Sequence, residues 1–152
     1  MFLKNRALTT IFAATFALGF VSVGTSAQAR DPKPGLSCTN SSLQGSYGTQ
    51  SSGFLNSGAT PFNLAFLNQF DGNGNITGVN GSTSAGGEIS QNRTNTGTYQ
   101  VNSDCTVTIN FDRADGTQST NFGVIVNNGR KILYISTDQG SNISGTIEKV
   151  GY

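Results

Sequence analysis

Apolar and polar residues alternate along most of this chain, and short turn-forming sequences separate the alternating runs. The clearest runs cover residues 62–70, 105–111 and 122–126. A period of two places every second side chain on the same face of a β-strand. The sequences Asp71–Asn75 and Asn127–Gly129 supply Gly, Asn and Asp, which accept the positive φ angles of hairpin turns. The pattern therefore predicts antiparallel strands in hairpin order.

The number of strands limits how the sheet can be arranged. We count eight or nine alternating runs of ordinary strand length, although residues 81–95 carry so few apolar side chains that we expect only a weak strand and turns there. A meander of this size either closes or folds into a sandwich, and closure removes its edges. We predict an all-β, up-and-down antiparallel barrel of about eight strands over residues 43–152, with a sandwich as the alternative.

Residues 1–29 have the parts of a secretory signal peptide. Lys4 and Arg6 precede an apolar run over residues 7–23, and the small-residue stretch 25–29 resembles a cleavage site. We expect cleavage after this stretch and export to the periplasm, the cell surface or the medium. The apolar run contains threonines and a glycine and ends in the cleavage-like site, so we do not expect a membrane anchor.

The exported part is expected to be one domain that is close to neutral. Cleavage removes two of the nine basic residues and none of the eight acidic ones. Residues 30–42 contain prolines and no periodicity, which predicts an irregular segment ahead of the barrel. With no basic run in the chain, neither nucleic acid nor anionic lipid is an expected partner.

Two cysteines, Cys38 and Cys105, remain after cleavage. An exported protein meets an oxidising compartment, so we predict a disulfide between them. The alternative is lipidation of Cys38, because residues 35–38 loosely resemble a lipidation box. That alternative is weaker because the apolar run ends well before this point and a Pro-containing polar stretch intervenes.

The composition disfavours the commonest enzyme mechanisms. The chain has no histidine, so it cannot build a Ser-His-Asp triad or a Cys-His pair. Oxidised cysteines do not provide a thiolate nucleophile. Paired carboxylates remain available, but most acidic residues lie in expected turns. We expect no cofactor, and we lean towards a protein that is not an enzyme.

Residues Asp71, Asn73 and Asn75 have the alternating oxygen spacing that begins a calcium-binding loop. The twelfth position of that loop would be Ser82, which cannot supply the bidentate carboxylate. These three residues are therefore weak metal candidates, and a hairpin turn is the preferred interpretation.

Aromatic side chains on the expected inner face would either fill the barrel or line a pocket in it. An eight-stranded barrel is compatible with both arrangements, and core filling is the commoner use. The candidates to line the lumen are Tyr47, Phe62, Phe66, Tyr99, Phe111 and Phe122.

Four motifs resemble those of an uncharacterised family of small secreted bacterial β-barrel proteins. They are Leu43-x-Gly45-x-Tyr47-Gly48, Phe70-Asp71-Gly72-x-Gly74-Asn75-x-Thr77-Gly78, Gly97-Thr98-Tyr99-x-Val101-Asn102-x-Asp104-Cys105-Thr106 and Ile135-Ser136-Thr137-Asp138. The pattern is more distantly similar to lipocalin and allene oxide cyclase barrels, which implies a small apolar ligand in the lumen. No binding residue is carried over, because no position matches a ligand motif and the chain has no Trp for the lipocalin Gly-x-Trp opening.

These observations favour a non-catalytic exported barrel that binds a small molecule, such as a small apolar ligand, or a surface glycan. The first alternative is a structural or adhesive protein of the envelope or matrix, whose polar faces or strand edges would self-associate. An outer-membrane barrel and an enzyme with a cyclase-like lumen are weaker alternatives. The outer-membrane barrel is disfavoured because the final strand places Glu148 and Thr146 on the same side as Val150 and Tyr152, and because most strands fall short of a bilayer span.

Overall fold

The computed structural model describes residues 37–112 and 116–151, which form a closed barrel of eight antiparallel strands. Each strand pairs with the next in sequence, and the last pairs with the first. The predicted up-and-down barrel is confirmed, and the sandwich alternative is wrong. The strands are β1 (Gln44–Leu55), β2 (Thr60–Asp71), β3 (Asn75–Ala85), β4 (Glu88–Val101), β5 (Thr106–Asp112), β6 (Gln118–Val126), β7 (Lys131–Ser136) and β8 (Asn142–Lys149).

The connections at both ends of the barrel are short. Two single 3₁₀ turns, Asn40–Ser42 and Asn56–Gly58, flank β1. The predicted signal peptide over residues 1–29, and residues 30–36 of the expected irregular segment, lie outside the described residues.

Residues 81–85 and 88–95 form strand on either side of a turn at Gly86 and Gly87, where the composition predicted only a weak strand and turns. They make up the end of β3 and the start of β4, with Thr83 opposite Ser90 and Ala85 opposite Glu88. The register of this pair shifts on both sides of Gly81. Polar residues suffice here because strand pairing uses the backbone, and apolar side chains are needed only where a face is buried.

The hydrophobic core occupies one half of the barrel. At this half, β2, β4 and β6 end and β3, β5 and β7 begin. We call it the packed end. Its buried members are Leu43, Tyr47, Phe70, Ile76, Tyr99, Val101, Val107, Ile109, Ile125, Ile132, Tyr134 and Ile147.

Three aromatic rings form the centre of the packed end. Phe70 lies 4.9 Å from Tyr47 and 5.1 Å from Tyr99, measured between ring centroids, in edge-on and tilted arrangements. Both tyrosine hydroxyls have acceptors: Tyr47 donates to the carbonyl of Gly129 at 2.7 Å, and Tyr99 donates to that of Leu43 at 2.9 Å. The rings therefore fill the barrel without leaving a buried hydroxyl unpaired.

The segment before β1 covers the packed end. The predicted disulfide between Cys38 and Cys105 is confirmed, so lipidation of Cys38 is excluded in this state. Asn40 adds a second attachment, because its side-chain oxygen accepts a hydrogen bond of 2.8 Å from the backbone N–H of Val101. The segment is thus fixed to the β4–β5 turn by a covalent bond and to β4 by a hydrogen bond.

We predict that the double variant Cys38→Ala with Cys105→Ala is less stable than the wild type by about 4 kcal/mol. The disulfide closes a loop of 67 residues, and its loss raises the entropy of the unfolded chain. Urea unfolding of both proteins, followed by circular dichroism, measures the difference. A loss below about 1 kcal/mol would show that the hydrogen bonds of the N-terminal segment hold the packed end without the disulfide.

Candidate functional site

The other half of the barrel contains a cavity of about 900 Å³. It lies between the packed end and the opposite end of the barrel, which we call the open end. Its volume is in the range of small-molecule sites, which are concave and few per protein. An interior of this size agrees with an eight-stranded barrel whose inward side chains do not fill it completely.

One wall of the cavity is apolar. Phe62, Leu64 and Phe66 follow one another on the inner face of β2 and line the cavity with Leu55 of β1. Phe66 fits because position 81 on the neighbouring strand is glycine, and a Cβ atom there would overlap the Phe66 ring. The alternation of β2 therefore presents a continuous strip of large apolar side chains to the lumen.

The floor of the cavity, next to the packed end, is polar. Thr49, Ser51, Asn68 and Asn121 are the buried polar residues of the described chain, and all four line the cavity. Asn68 is only 1% exposed, and its Nδ2 donates to Thr49 Oγ1 at 2.6 Å. Burying polar side chains without full pairing is costly, so their concentration at one place suggests a role other than folding.

Tyr134 lies at the boundary between the core and the cavity. Burial raises the pKa of its hydroxyl, and a hydrogen bond with the Ser51 side chain partly offsets that effect. The hydroxyl is therefore protonated at neutral pH. The floor of the cavity carries no charge from this residue.

Two side-chain oxygens at the floor have no hydrogen-bond partner among the described residues. They are Oδ1 of Asn68 and Oδ1 of Asn95, and both atoms are buried. Gly78 lies opposite Asn68 on one side and opposite Asn95 on the other, so the three residues form a row across β2, β3 and β4. A Cβ atom at Gly78 would lie 2.6 Å from Asn68 Oδ1 and would overlap Asn95 Oδ1. The glycine lets the two amide oxygens converge, and each unpaired acceptor costs about 1–3 kcal/mol.

The charged residues that line the cavity are Arg93, Asp112 and Asp138, near its outer part. Thr96 Oγ1 donates to Asp112 at 2.6 Å and Gln118 Nε2 donates at 3.0 Å, which lowers the pKa of that carboxyl. A general acid needs the opposite shift. Asp112 is therefore suited to holding the cavity mouth together and poorly suited to donating a proton.

Five of the six predicted lumen residues face the interior of the barrel, and they form two groups. Phe62, Phe66 and Phe111 line the cavity. Tyr47 and Tyr99 also point into the barrel, but they belong to the packed end, where they fill the interior.

Phe122 was expected on the inner face, and that prediction is wrong. Its side chain is 43% exposed on the outer surface, whereas its neighbours Asn121 and Gly123 are buried. The run from Phe122 to Val126 has apolar residues at both parities, and the inner face is the one that carries Ile125. Packing of Gly123 between Val107 and Ile132 decides the orientation, because a larger side chain would not fit there.

The weak metal candidates form a hairpin turn between β2 and β3. Asp71 Oδ1 accepts hydrogen bonds from the backbone N–H groups of Asn73 at 2.7 Å and Asn75 at 2.9 Å, and Oδ2 accepts one from Asn75 Nδ2 at 2.7 Å. The three residues therefore have a structural use as a turn. No group of three His, Cys, Asp or Glu side chains is placed to hold a metal ion within residues 37–112 and 116–151.

Sequence reasoning missed the polar floor. Asn68 stood out as a polar residue in an otherwise apolar run, which was the available signal. Asn95 and Asn121 gave no signal of their own, because asparagine is abundant throughout the chain. Their shared position depends on the pairing of strands that are distant in sequence.

Searches of protein-family models, curated proteins and solved structures found no match to this chain. No helix within the described part of the chain has the length and apolar character needed to cross a membrane.

We predict that the Asp71 carboxyl titrates near pH 2 in the folded protein, below its ordinary value of 3.8. The side-chain hydrogen bond from Asn75 is the largest cause, followed by the backbone N–H groups of Asn75 and Asn73. Asn75→Ala should raise the pKa towards 3.8, whereas Asn73→Ala should leave it near 2 because its backbone N–H remains. NMR of the carboxyl carbons during an acid titration measures the three values.

The lowered pKa also gives a direction for stability. A carboxyl whose folded pKa is depressed stabilises the fold above its unfolded pKa, and this contribution disappears as the pH falls through about 2. Asn75→Ala should therefore reduce the dependence of the free energy of unfolding on pH between about 2 and 3.8. An unchanged Asp71 titration in this variant would contradict the assignment of Asn75 as the main partner.

Proposed function

We propose that this protein binds a small amphipathic molecule inside its barrel. The observation that carries the proposal is a cavity of about 900 Å³ with an apolar wall and a buried polar floor. Binding sites for small molecules combine apolar lining with a few placed polar groups in this way. A barrel that only needed stability would fill this half with side chains, as it does the packed end.

The apolar wall and the polar floor of the cavity indicate where each part of the ligand binds. The apolar body lies against Phe62, Leu64 and Phe66, where it removes apolar surface from water. The polar part reaches the floor, where Thr49, Ser51 and the asparagines supply hydrogen bonds. Aromatic rings next to amide and hydroxyl groups also suit a sugar ring, so a glycan end is one form that such a ligand can take.

The packed end is covered, so a ligand can enter the barrel only from the other end. The aromatic layer of Tyr47, Phe70 and Tyr99 and the segment held by the disulfide cover that end. Entry is therefore through the open end, where the β1–β2, β3–β4 and β7–β8 connections lie. These connections are the part of the barrel in which selectivity for the ligand would vary.

Binding without catalysis is favoured over the enzyme alternative by the chemistry of the lining. The carboxylates near the cavity belong to Asp112 and Asp138, and each accepts a hydrogen bond that orders the barrel wall. The outer side chains of β4 include Thr98 and Gln100, whose polarity does not suit contact with lipid acyl chains. This observation weighs against the outer-membrane alternative.

The test uses N-phenyl-1-naphthylamine, a neutral apolar probe whose fluorescence rises when it leaves water. We predict that the protein, purified with its disulfide formed, binds this probe and that Thr83→Trp weakens binding at least about tenfold. Thr83 lines the cavity, so an indole there occupies the ligand's space. Ser82→Trp is the matched control, because Ser82 is the neighbouring residue and is exposed.

Each outcome has a meaning. Loss of probe binding in Thr83→Trp but not in Ser82→Trp places the probe in the lumen. Equal binding by both variants would place the probe on the outer surface, and an absence of binding to the wild type would refute the proposal. Thermal unfolding of both variants checks that they are folded.

A second candidate function is self-association, as in a structural or adhesive protein. It is favoured by an exposed apolar patch on the outer face of β6 and β7, formed by Phe122, Val124, Leu133 and Ile135. The strand register places Phe122 beside Ile135 and Val124 beside Leu133, so the four side chains are contiguous. They are between 41% and 53% exposed. Apolar patches of this kind mark interaction surfaces more often than isolated apolar residues do.

If a second copy of the chain covers this patch, the double variant Val124→Ser with Leu133→Ser should be monomeric where the wild type is a dimer. Sedimentation velocity over a hundredfold range of concentration compares them. Asn63→Ser, on the outer face of β2, is the control. A wild-type monomer throughout this range would reject self-association through the patch.

A further inference from the structure

We infer that the polar part of the ligand is a neutral group with two hydrogen-bond donors, which binds between Asn68 and Asn95. This inference rests on the proposed function and specifies the chemistry that the lumen selects. A primary amide and a pair of neighbouring hydroxyls, as in a sugar, both have this chemistry.

The first step is the convergence of two acceptors. Asn68 on β2 and Asn95 on β4 flank Gly78, which lies on the strand between them. Their Oδ1 atoms approach the place where a side chain at Gly78 would be. Neither oxygen has a donor among residues 37–112 and 116–151, the part of the chain that the structure describes. Asn68 is 1% exposed and lines the cavity, so its unpaired oxygen is a buried group beside the ligand's space.

The second step is the orientation of the Asn68 amide. Its Nδ2 already donates to Thr49 Oγ1 at 2.6 Å. The amide is thereby held with its oxygen towards Gly78 and Asn95. Two acceptors in one place attract a group that presents two hydrogens to them. The terminal torsion of asparagine is broad, so the Asn95 amide can adjust to a bound donor at small cost.

The third step concerns charge. A carboxylate or phosphate would place negative oxygens against two amide oxygens, and this unfavourable contact would come in addition to the loss of its hydration. A cation would have to be buried without an opposite charge at the floor, because the lining carboxylates of Asp112 and Asp138 belong to strand ends and the loop near the open end. A neutral donor group avoids both costs. The floor therefore disfavours a carboxylate head group and favours amides or polyols.

The experiment compares three naphthalene derivatives of nearly equal size. They are 2-naphthamide, which has two N–H donors, methyl 2-naphthoate, which has none, and 2-naphthoate, which is an anion. The naphthalene ring is the apolar body in all three, so differences in affinity report on the head group. We expect 2-naphthamide to bind about tenfold more tightly than the ester and about a hundredfold more tightly than the anion, measured by calorimetry at pH 7.

Variants connect this preference to the two asparagines. Asn68→Leu and Asn95→Leu remove one acceptor each and should reduce the advantage of the amide over the ester to about twofold or less. Asn63→Leu, on the exposed outer face of β2, is the control and should preserve the advantage. Asn95→Asp keeps an acceptor and adds a negative charge, so it should bind the 2-naphthamidinium cation at least about tenfold more tightly than the wild type does.

The outcomes separate this inference from the proposed function. Equal affinity for amide and ester, or an advantage that survives both leucine substitutions, would overturn the inference, and would indicate that the two amides pair with each other by rotation of Asn95. In either case, lumen binding of N-phenyl-1-naphthylamine would leave the proposed function standing. If neither that probe nor any naphthalene derivative binds to the folded wild type, the proposed function itself fails.

Discussion

The pairing of β1 with β8 is the interaction on which the rest of this structure depends. It runs from Tyr47 opposite Lys149 to Phe54 opposite Asn142, and it joins the first and last strands of the chain. Without it the sheet would have two exposed edges, which are sites of association with other chains. Closure with eight strands also sets the width of the interior, which is close to the limit that side chains can fill. The cavity is a consequence of this width.

The interior of the barrel is filled by side chains at one end and contains the cavity towards the other. At the packed end, Tyr47, Phe70 and Tyr99 span the lumen and the N-terminal segment covers it, so the core is continuous. Towards the open end, small inward residues such as Ser51, Gly78 and Ser119 leave space that the phenylalanines of β2 do not fill. The hydrophobic core lies in the first half, and the second half carries buried polar groups, which cost stability.

The sequence was least informative about which face of a strand is buried. In β2, Phe62, Phe66 and Phe70 share one parity, and the structure places all three inside the barrel, where Phe62 and Phe66 line the cavity and Phe70 belongs to the core. In β6, Phe122 and Val124 have one parity and Ile125 has the other, so either face can be buried. The same ambiguity did not arise in β5, where Val107, Ile109 and Phe111 alternate with polar residues. A slip of one residue exchanges the faces of a strand, and only packing decides between them.

The sequence by itself determined the strands, their hairpin order and the disulfide, because alternation, turn residues and a single pair of cysteines are local or countable properties. The tertiary structure decided which half of the barrel is filled, which face of β6 is buried, and that Asn68 meets Asn95 across Gly78. Asn68 and Asn95 belong to strands that do not pair with each other. Their side chains meet because the register of β3 against both neighbours aligns them in one row, and because the residue between them has no side chain. Such a coincidence of register and space is a property of the closed sheet, which no single segment of the chain contains.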